Sequence, residues 1–153
     1  MKLSEYTKLA LLKPRTLSVS KKKVIEEQVA ILEKNKIIPP KSAALVCKAV
    51  LKREALGSTG IGQGVALPHV KFKGVKKISF VFTNSERGVE FNSLDGEPVN
   101  IIFLLIGPEK AGEEYIKALS LLARNLNDPY FRRALASAKT GKEVLDILKK
   151  VGQ

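Results

Sequence analysis

The chain has 153 residues, 44% of them hydrophobic, with 27 Lys and Arg against 15 Asp and Glu, a formal charge of +12 and a single cysteine. That length and apolar content suit one globular domain, residues 1–153, with a real core, and they exclude a largely disordered chain. One cysteine, Cys47, excludes an internal disulfide and a multi-cysteine metal site.

The opening stretch MKLSEYTKLALLKPR has no unbroken apolar segment and no small-residue cleavage site, so it does not read as a signal peptide. The longest strongly apolar run, residues 99–107, falls far short of the roughly 20 residues that cross a bilayer. A cytoplasmic protein without membrane insertion is expected. Ser20 precedes KKKVIEEQVAILEKN, where Val24, Ile25, Val29 and Leu32 recur at helical spacing, predicting a helix capped by Ser20 that runs to about Asn35. Ile38, Pro39 and Pro40 stop it. A second helix is expected over 42–56, with Ala44, Cys47 or Lys48, Leu51 and Ala55 on one line and Gly57 as terminator. Cys47 on that line predicts a buried thiol.

From Gly57 the pattern changes to GSTGIGQGVALPHVKFKG, with Gly60, Gly62 and Gly64 at alternate positions and Pro68 just before His69. Three glycines and a proline exclude a helix, so a loop leading into a short extended segment is expected. Residues 77–83 (KISFVFT) and 99–106 (VNIIFLLI) read as strands, the second apolar on both faces and hence interior. Asn92-Ser93 and Asp95-Gly96 place turns between them. A helix is expected over 112–126, with Tyr115 or Ile116, Leu119, Leu122 and Leu126 facing the core. Asp128-Pro129 breaks it before a short helix through Phe131 and Leu135, and Thr140-Gly141-Lys142-Glu143 is a capping box for a last one. This order predicts an α/β fold, a single domain whose mixed β-sheet is flanked by helices.

His69 is the only histidine, and two readings of it stand: a hydrogen-bonded structural residue, or a nucleophile served by a glycine loop that exposes backbone donors. A neutral imidazole attacks through one ring nitrogen while the other donates a hydrogen bond that fixes the tautomer. Phosphoryl oxygens then need donors, which loop amides, the hydroxyls of Ser58 and Thr59, and a cation could supply. Arg53 is the first choice of cation and Lys71 the second. The ordinary alternatives are a solvated helix charge at Arg53 and mere turn stabilisation by Ser58 and Thr59. GIGQG lacks the dinucleotide spacing, no GxxxxGK[ST] motif exists, and one histidine among scattered acids gives no metal-ligand pattern, so neither cofactor nor metal is expected. The positive charge is scattered among acids, and aromatics are few. This argues against nucleic acid and leaves solubility, an acidic protein partner or a hot habitat as explanations.

The stretch REALGSTGIGQGVALPH, ending at His69, resembles the active-site motif of enzyme IIA domains of the bacterial phosphoenolpyruvate-dependent sugar phosphotransferase system, fructose and mannitol class. The nitrogen-regulatory IIA proteins share that motif. A softer likeness extends through LDGEPVNIIFLLIGPE and GEEYIKALSLLARNLNDPYFRRAL. The resemblance implies that His69 takes a phosphoryl group from a histidine-containing phosphocarrier protein and passes it to a cysteine of a IIB domain. Alternatively, its phosphorylation state controls a regulatory protein partner. It implies further that Arg53 steadies the phosphohistidine and that Gly60, Gly62 and Gly64, with Ser58 and Thr59 beside them, support the pocket. It also implies an apolar docking patch around His69, with Ile61, Val65 and Leu67 either exposed in it or part of the core. Where the family usually has a second histidine, this chain has Tyr115, which either supports the phosphate through a hydroxyl that donates a hydrogen bond but carries no positive charge at neutral pH, or is simply a packed core or interface residue.

Overall fold

The structure is a computed structural model and describes residues 2–150. Helix α1 (Lys21–Lys34) starts where the Ser20 hydroxyl accepts from the Lys23 amide, and its Val24, Ile25, Val29 and Leu32 are fully buried. It ends before Lys36, which takes a left-handed turn. Helix α2 (Ala43–Ala55) follows, but its inward line is Val46, Val50 and Glu54. Ala44, Lys48 and Ala55 are exposed, and Cys47 is only half-buried, correcting the expected stripe and the buried thiol. Partial burial, followed by the nearby Glu26 carboxylate, pushes the Cys47 thiol pKa up.

The glycine-rich stretch is not an open loop. It forms a tight hairpin, β1 (Gly60–Gly62) with β2 (Val65–Ala66), and runs on into β3 (His69–Phe72). Strands β4 (Ser79–Val89) and β5 (Val99–Pro108) complete a mixed sheet. β5 is central: β4 pairs antiparallel on one side, with Phe82 opposite Phe103, while β2 and β3 pair parallel on the other. β4 runs six residues beyond the expected end at Thr83, because the polar side chains there find partners. Asn84 accepts from the Arg15 amide and donates to the carbonyls of Leu135 and Ala138, and Asn100 donates to the Ser85 carbonyl.

Alternation along β5 divides the core in two. Ile101, Phe103 and Leu105 face one layer with Phe80 and Phe82, covered by helices α3 (Glu113–Leu126), α4 (Pro129–Ser137) and α5 (Gly141–Lys150). Ile102, Leu104 and Ile106 face the other, under α1 and α2. This is the two-sided burial expected of the 99–106 run. Asp128 caps α4 through the Tyr130 amide, and Thr140 caps α5 through the Glu143 amide. The Glu143 carboxylate reaches back to the Lys139 amide, one residue before the partner of an ideal capping box. In α3 Tyr115 is the inward residue and Ile116 the exposed one.

The N-terminal stretch has structure that periodicity does not reveal. Two 3₁₀ turns, Leu3–Tyr6 and Leu9–Leu11, bury Leu3, Tyr6 and Leu11. Leu12 then bridges to Phe82, and the Lys13 and Thr16 amides donate to the carbonyls of Phe82 and Asn84. The segment thereby covers an edge of β4 that would otherwise present unpaired backbone groups.

Candidate functional site

His69 stands at a break in the strand formed by β2 and β3. Pro68 has no N–H to donate, so the ladder is interrupted at little cost there. The Leu67 amide turns instead to the Thr59 carbonyl, and the Pro68 carbonyl accepts from the Leu105 amide. The half-buried imidazole folds back so that Nδ1 lies 2.6 Å from the Leu67 carbonyl oxygen. A carbonyl only accepts, so Nδ1 carries the hydrogen and the neutral ring presents an unprotonated Nε2.

His69 is in register with Leu105, and Lys71 with Gly107, so both side chains lie on the α3 face of the sheet. Tyr115 packs there. A Cβ at Gly107 would come within 2.7 Å of its Cδ1, so the absence of a side chain at 107 makes room for the ring. The ring centroids of His69 and Tyr115 are 6.3 Å apart, and Lys71 Nζ lies 5.6 Å from the Tyr115 centroid. The Tyr115 hydroxyl is buried without a hydrogen-bond partner among the described residues. Burial pushes its pKa well up, opposed by the positive charge of Arg53.

Arg53 and Glu54 close α2 in different ways. Half-buried Arg53 donates through Nη1 to the Gly57 carbonyl at 2.8 Å, leaving further guanidinium donors available. Glu54 turns inward: it accepts from the Thr59 amide and hydroxyl and pairs with Lys21 Nζ at 3.1 Å. Lys21 in turn sits over the Phe91 ring. The Ser58 hydroxyl donates to the Phe91 carbonyl and accepts from the Gly60 amide. Ser58 and Thr59 thus spend their hydroxyl hydrogens on holding the loop. Sequence reasoning named neither Glu54 nor Lys21 as site residues. The signal was present in Val46, Val50 and Glu54, an i, i+4, i+8 line ending in an acid five residues before a threonine.

The three glycines separate. Gly60 pairs with Ala66, next to the Leu67 turn, and packs on Ser93 so closely that a Cβ would meet the Ser93 side chain. Gly62 and Gly64, at φ +96° and +75°, make the hairpin tip with Gln63. The Gly64 carbonyl is bonded to the Asn100 and Ile101 amides, whereas His69 is opposite Leu105. Four residues of extended strand place the tip about 13 Å from the histidine. Gly62 and Gly64 therefore shape the turn, away from the imidazole. The tip is tied to the helical layer by Arg132, which donates to the Gln63 side chain.

Of the expected apolar patch, Ile61 is exposed, but Val65 and Leu67 are buried at 1% and 5%. Both lie in the core beneath α3, because the hairpin and the break direct them to the sheet's packed face. Leu56, Leu94 and Ile116 are exposed apolar residues as well. The Leu94 amide donates a hydrogen bond to the Gly60 carbonyl, which holds Leu94 beside β1 and Ile61.

Comparison with known proteins identifies this arrangement. A nitrogen regulatory protein of Bradyrhizobium diazoefficiens is 36% identical over 84% of this chain and 82% of its own length. The fructose-specific EIIABC component of Bacillus subtilis is 34% identical over 97% of this chain, which corresponds to 23% of that longer protein. The crystal structure of nitrogen regulatory protein IIA-Ntr from Neisseria meningitidis superposes with a TM-score of 0.87 at 36% identity, covering 95% of this chain and 98% of that one. The model of the phosphoenolpyruvate-dependent sugar phosphotransferase system EIIA 2 family matches residues 10–151. With the mixed sheet between helical layers and a lone histidine at its broken strand, the chain belongs to that family, as an EIIA-type phosphocarrier or regulatory domain.

Proposed function

We propose that His69 accepts a phosphoryl group on Nε2 from a histidine-containing phosphocarrier protein, and that the phosphorylated and free forms differ in their binding to regulatory protein partners. The observation that carries this reading is the Nδ1 contact with the Leu67 carbonyl, which leaves Nε2 as the nucleophile. In the transfer the Nε2 lone pair forms the new P–N bond while the donor's P–N bond breaks, its electron pair returning to the donor imidazole. The similarity to nitrogen regulatory proteins from several bacteria, over most of both chains, supports the regulatory role. A second reading, onward transfer to a cysteine of a IIB domain, is supported by the match of nearly the whole chain within the Bacillus subtilis fructose component. The test is incubation with phosphoenolpyruvate, enzyme I and the histidine phosphocarrier, read by intact mass. One acid-labile phosphate is expected. Its loss on adding a IIB domain would favour the transport reading, and its persistence the regulatory one.

In this reading the Tyr115 hydroxyl donates to a phosphoryl oxygen on His69, which would explain an otherwise unpartnered buried donor. Tyr115→Phe is expected to stabilise the unphosphorylated protein by about 1 kcal/mol, because a buried unpaired hydroxyl is removed. It should also slow phosphoryl acceptance by about tenfold or more, since a hydrogen bond to a charged group is lost. Denaturant midpoints and initial labelling rates measure the two effects. The pH dependence has a definite sign. Above about pH 10 an unfolded tyrosine loses its proton while buried Tyr115 keeps it, so this residue makes stability fall as pH rises. That part of the slope disappears in Tyr115→Phe.

Arg53→Ala removes the charge that would face the phosphohistidine and one donor to an exposed helix end. The protein should still label, but about 10- to 100-fold more slowly or with a shorter-lived phosphate, with a stability cost of about 1 kcal/mol or less. Unchanged labelling rate and phosphate lifetime would remove Arg53 from the mechanism.

A further inference from the structure

A second concave site lies between the α1–α2 connection and the turn joining β3 to β4. It is a cavity of about 850 Å³ with apolar walls from Ile37, Ile38, Pro39 and Pro40. Gly74 closes it on one side, packed so tightly that a Cβ there would lie 2.6 Å from Pro39 Cγ. Lys34, Lys36, Lys41, Lys76 and Lys77 surround it, and Glu33 is the one acid among its lining residues. The Glu33 carboxylate already accepts from the Ala43 amide at the start of α2. Among the described residues the ion pairs are Arg15 with Glu86 and Lys21 with Glu54, so none of the five lysines is held in one.

Five like charges around one concavity repel one another, and the free energy is recovered when an anion enters. Inorganic phosphate would satisfy the charge but leave the apolar walls wet. A neutral apolar molecule would do the reverse. The volume lies within the range of roughly 300–1,000 Å³ typical of sites that enclose small molecules, and the mix of apolar walls and a few polar groups is equally typical. His69, at the opposite end of β3 from Gly74, contributes nothing to this cavity.

We propose that this cavity binds a small amphipathic anion, an apolar body carrying a carboxylate, sulfonate or phosphate, with the body against Ile37, Ile38, Pro39 and Pro40 and the acid group held by the lysines. The proposal stands independently of the chemistry at His69. Decanoate serves as the probe, titrated by calorimetry and by amide chemical shifts, with decanol, inorganic phosphate and a polyglutamate peptide alongside. Saturable one-to-one binding is expected, with shift changes confined to residues 33–41 and 74–77. Affinity should weaken with salt and fall at least tenfold in Lys76→Glu/Lys77→Glu. Ile37→Asp should weaken it too, with some loss of stability because Ile37 packs on the core under α1 and α2, whereas the lysine variant keeps the wild-type thermal midpoint and both keep His69 labelling. The idea is overturned if decanoate does not saturate or if its shifts map elsewhere. It is also overturned if decanol or phosphate binds as tightly, if the lysine variant binds like wild type, or if polyglutamate binds more tightly, which would make the surface a protein-docking site.

Discussion

His69→Ala is expected to abolish phosphoryl acceptance while leaving a folded protein. No other imidazole exists in the chain to take over the reaction. The structural cost is the Nδ1 hydrogen bond to Leu67 and the ring contact with Tyr115, at a half-buried position, so a destabilisation of about 0.5–1.5 kcal/mol is expected. Intact mass after incubation with phosphoenolpyruvate, enzyme I and the phosphocarrier reads the chemistry, and thermal unfolding reads the fold. Labelling of the variant at the wild-type level would reassign the nucleophile. A complete loss with a near-normal melting point would establish that His69 is needed for the reaction and little needed for the architecture.

Glu54→Ala should have the largest effect on stability among the site variants, about 2–4 kcal/mol. The Glu54 side chain is 2% exposed and that of its partner Lys21 17%, so solvent screens the pair poorly. Truncation strands the lysine charge beside Phe91 and leaves the buried Thr59 amide and hydroxyl without their acceptor. Because the Thr59 carbonyl accepts from Leu67, whose own carbonyl holds the His69 ring, phosphoryl acceptance should fall as well. Glu54→Gln retains an acceptor for Thr59 and should lose less stability than Glu54→Ala. Equal denaturant midpoints for wild type and Glu54→Ala would show that this network does not hold the loop.

Much of the architecture was legible because one-dimensional periodicity reports burial directly. The line Val24, Ile25, Val29 and Leu32 predicted α1, and the two-sided apolar run 99–106 predicted a central strand. The failures have physical causes. The α2 stripe was misplaced because small and half-polar residues such as Ala44 and Cys47 fit either face, while the true inward line ends in an acid. β4 was cut short at Thr83 because a polar run looks like a loop until tertiary partners for Asn84 and Ser85 are known. The 3₁₀ turns of the N-terminal segment are too short to carry a period.

At the site, sequence alone determined the family, through the motif that ends at His69. A single histidine after a glycine-rich, proline-flanked stretch, with Arg53 nearby, left a structural and a nucleophilic reading open, and it was the likeness of the whole motif to enzyme IIA domains that pointed to the family. Only the tertiary structure decided which ring nitrogen is free, because that depends on the carbonyl reached when the strand breaks at Pro68. It also separated Gly60 from Gly62 and Gly64, since strand register converts neighbours in sequence into positions many ångströms apart. The Lys21–Glu54–Thr59 network, Tyr115 over Gly107 and the lysine-ringed cavity all join residues far apart in the chain, whose meeting is fixed by packing and carries no local sequence signal.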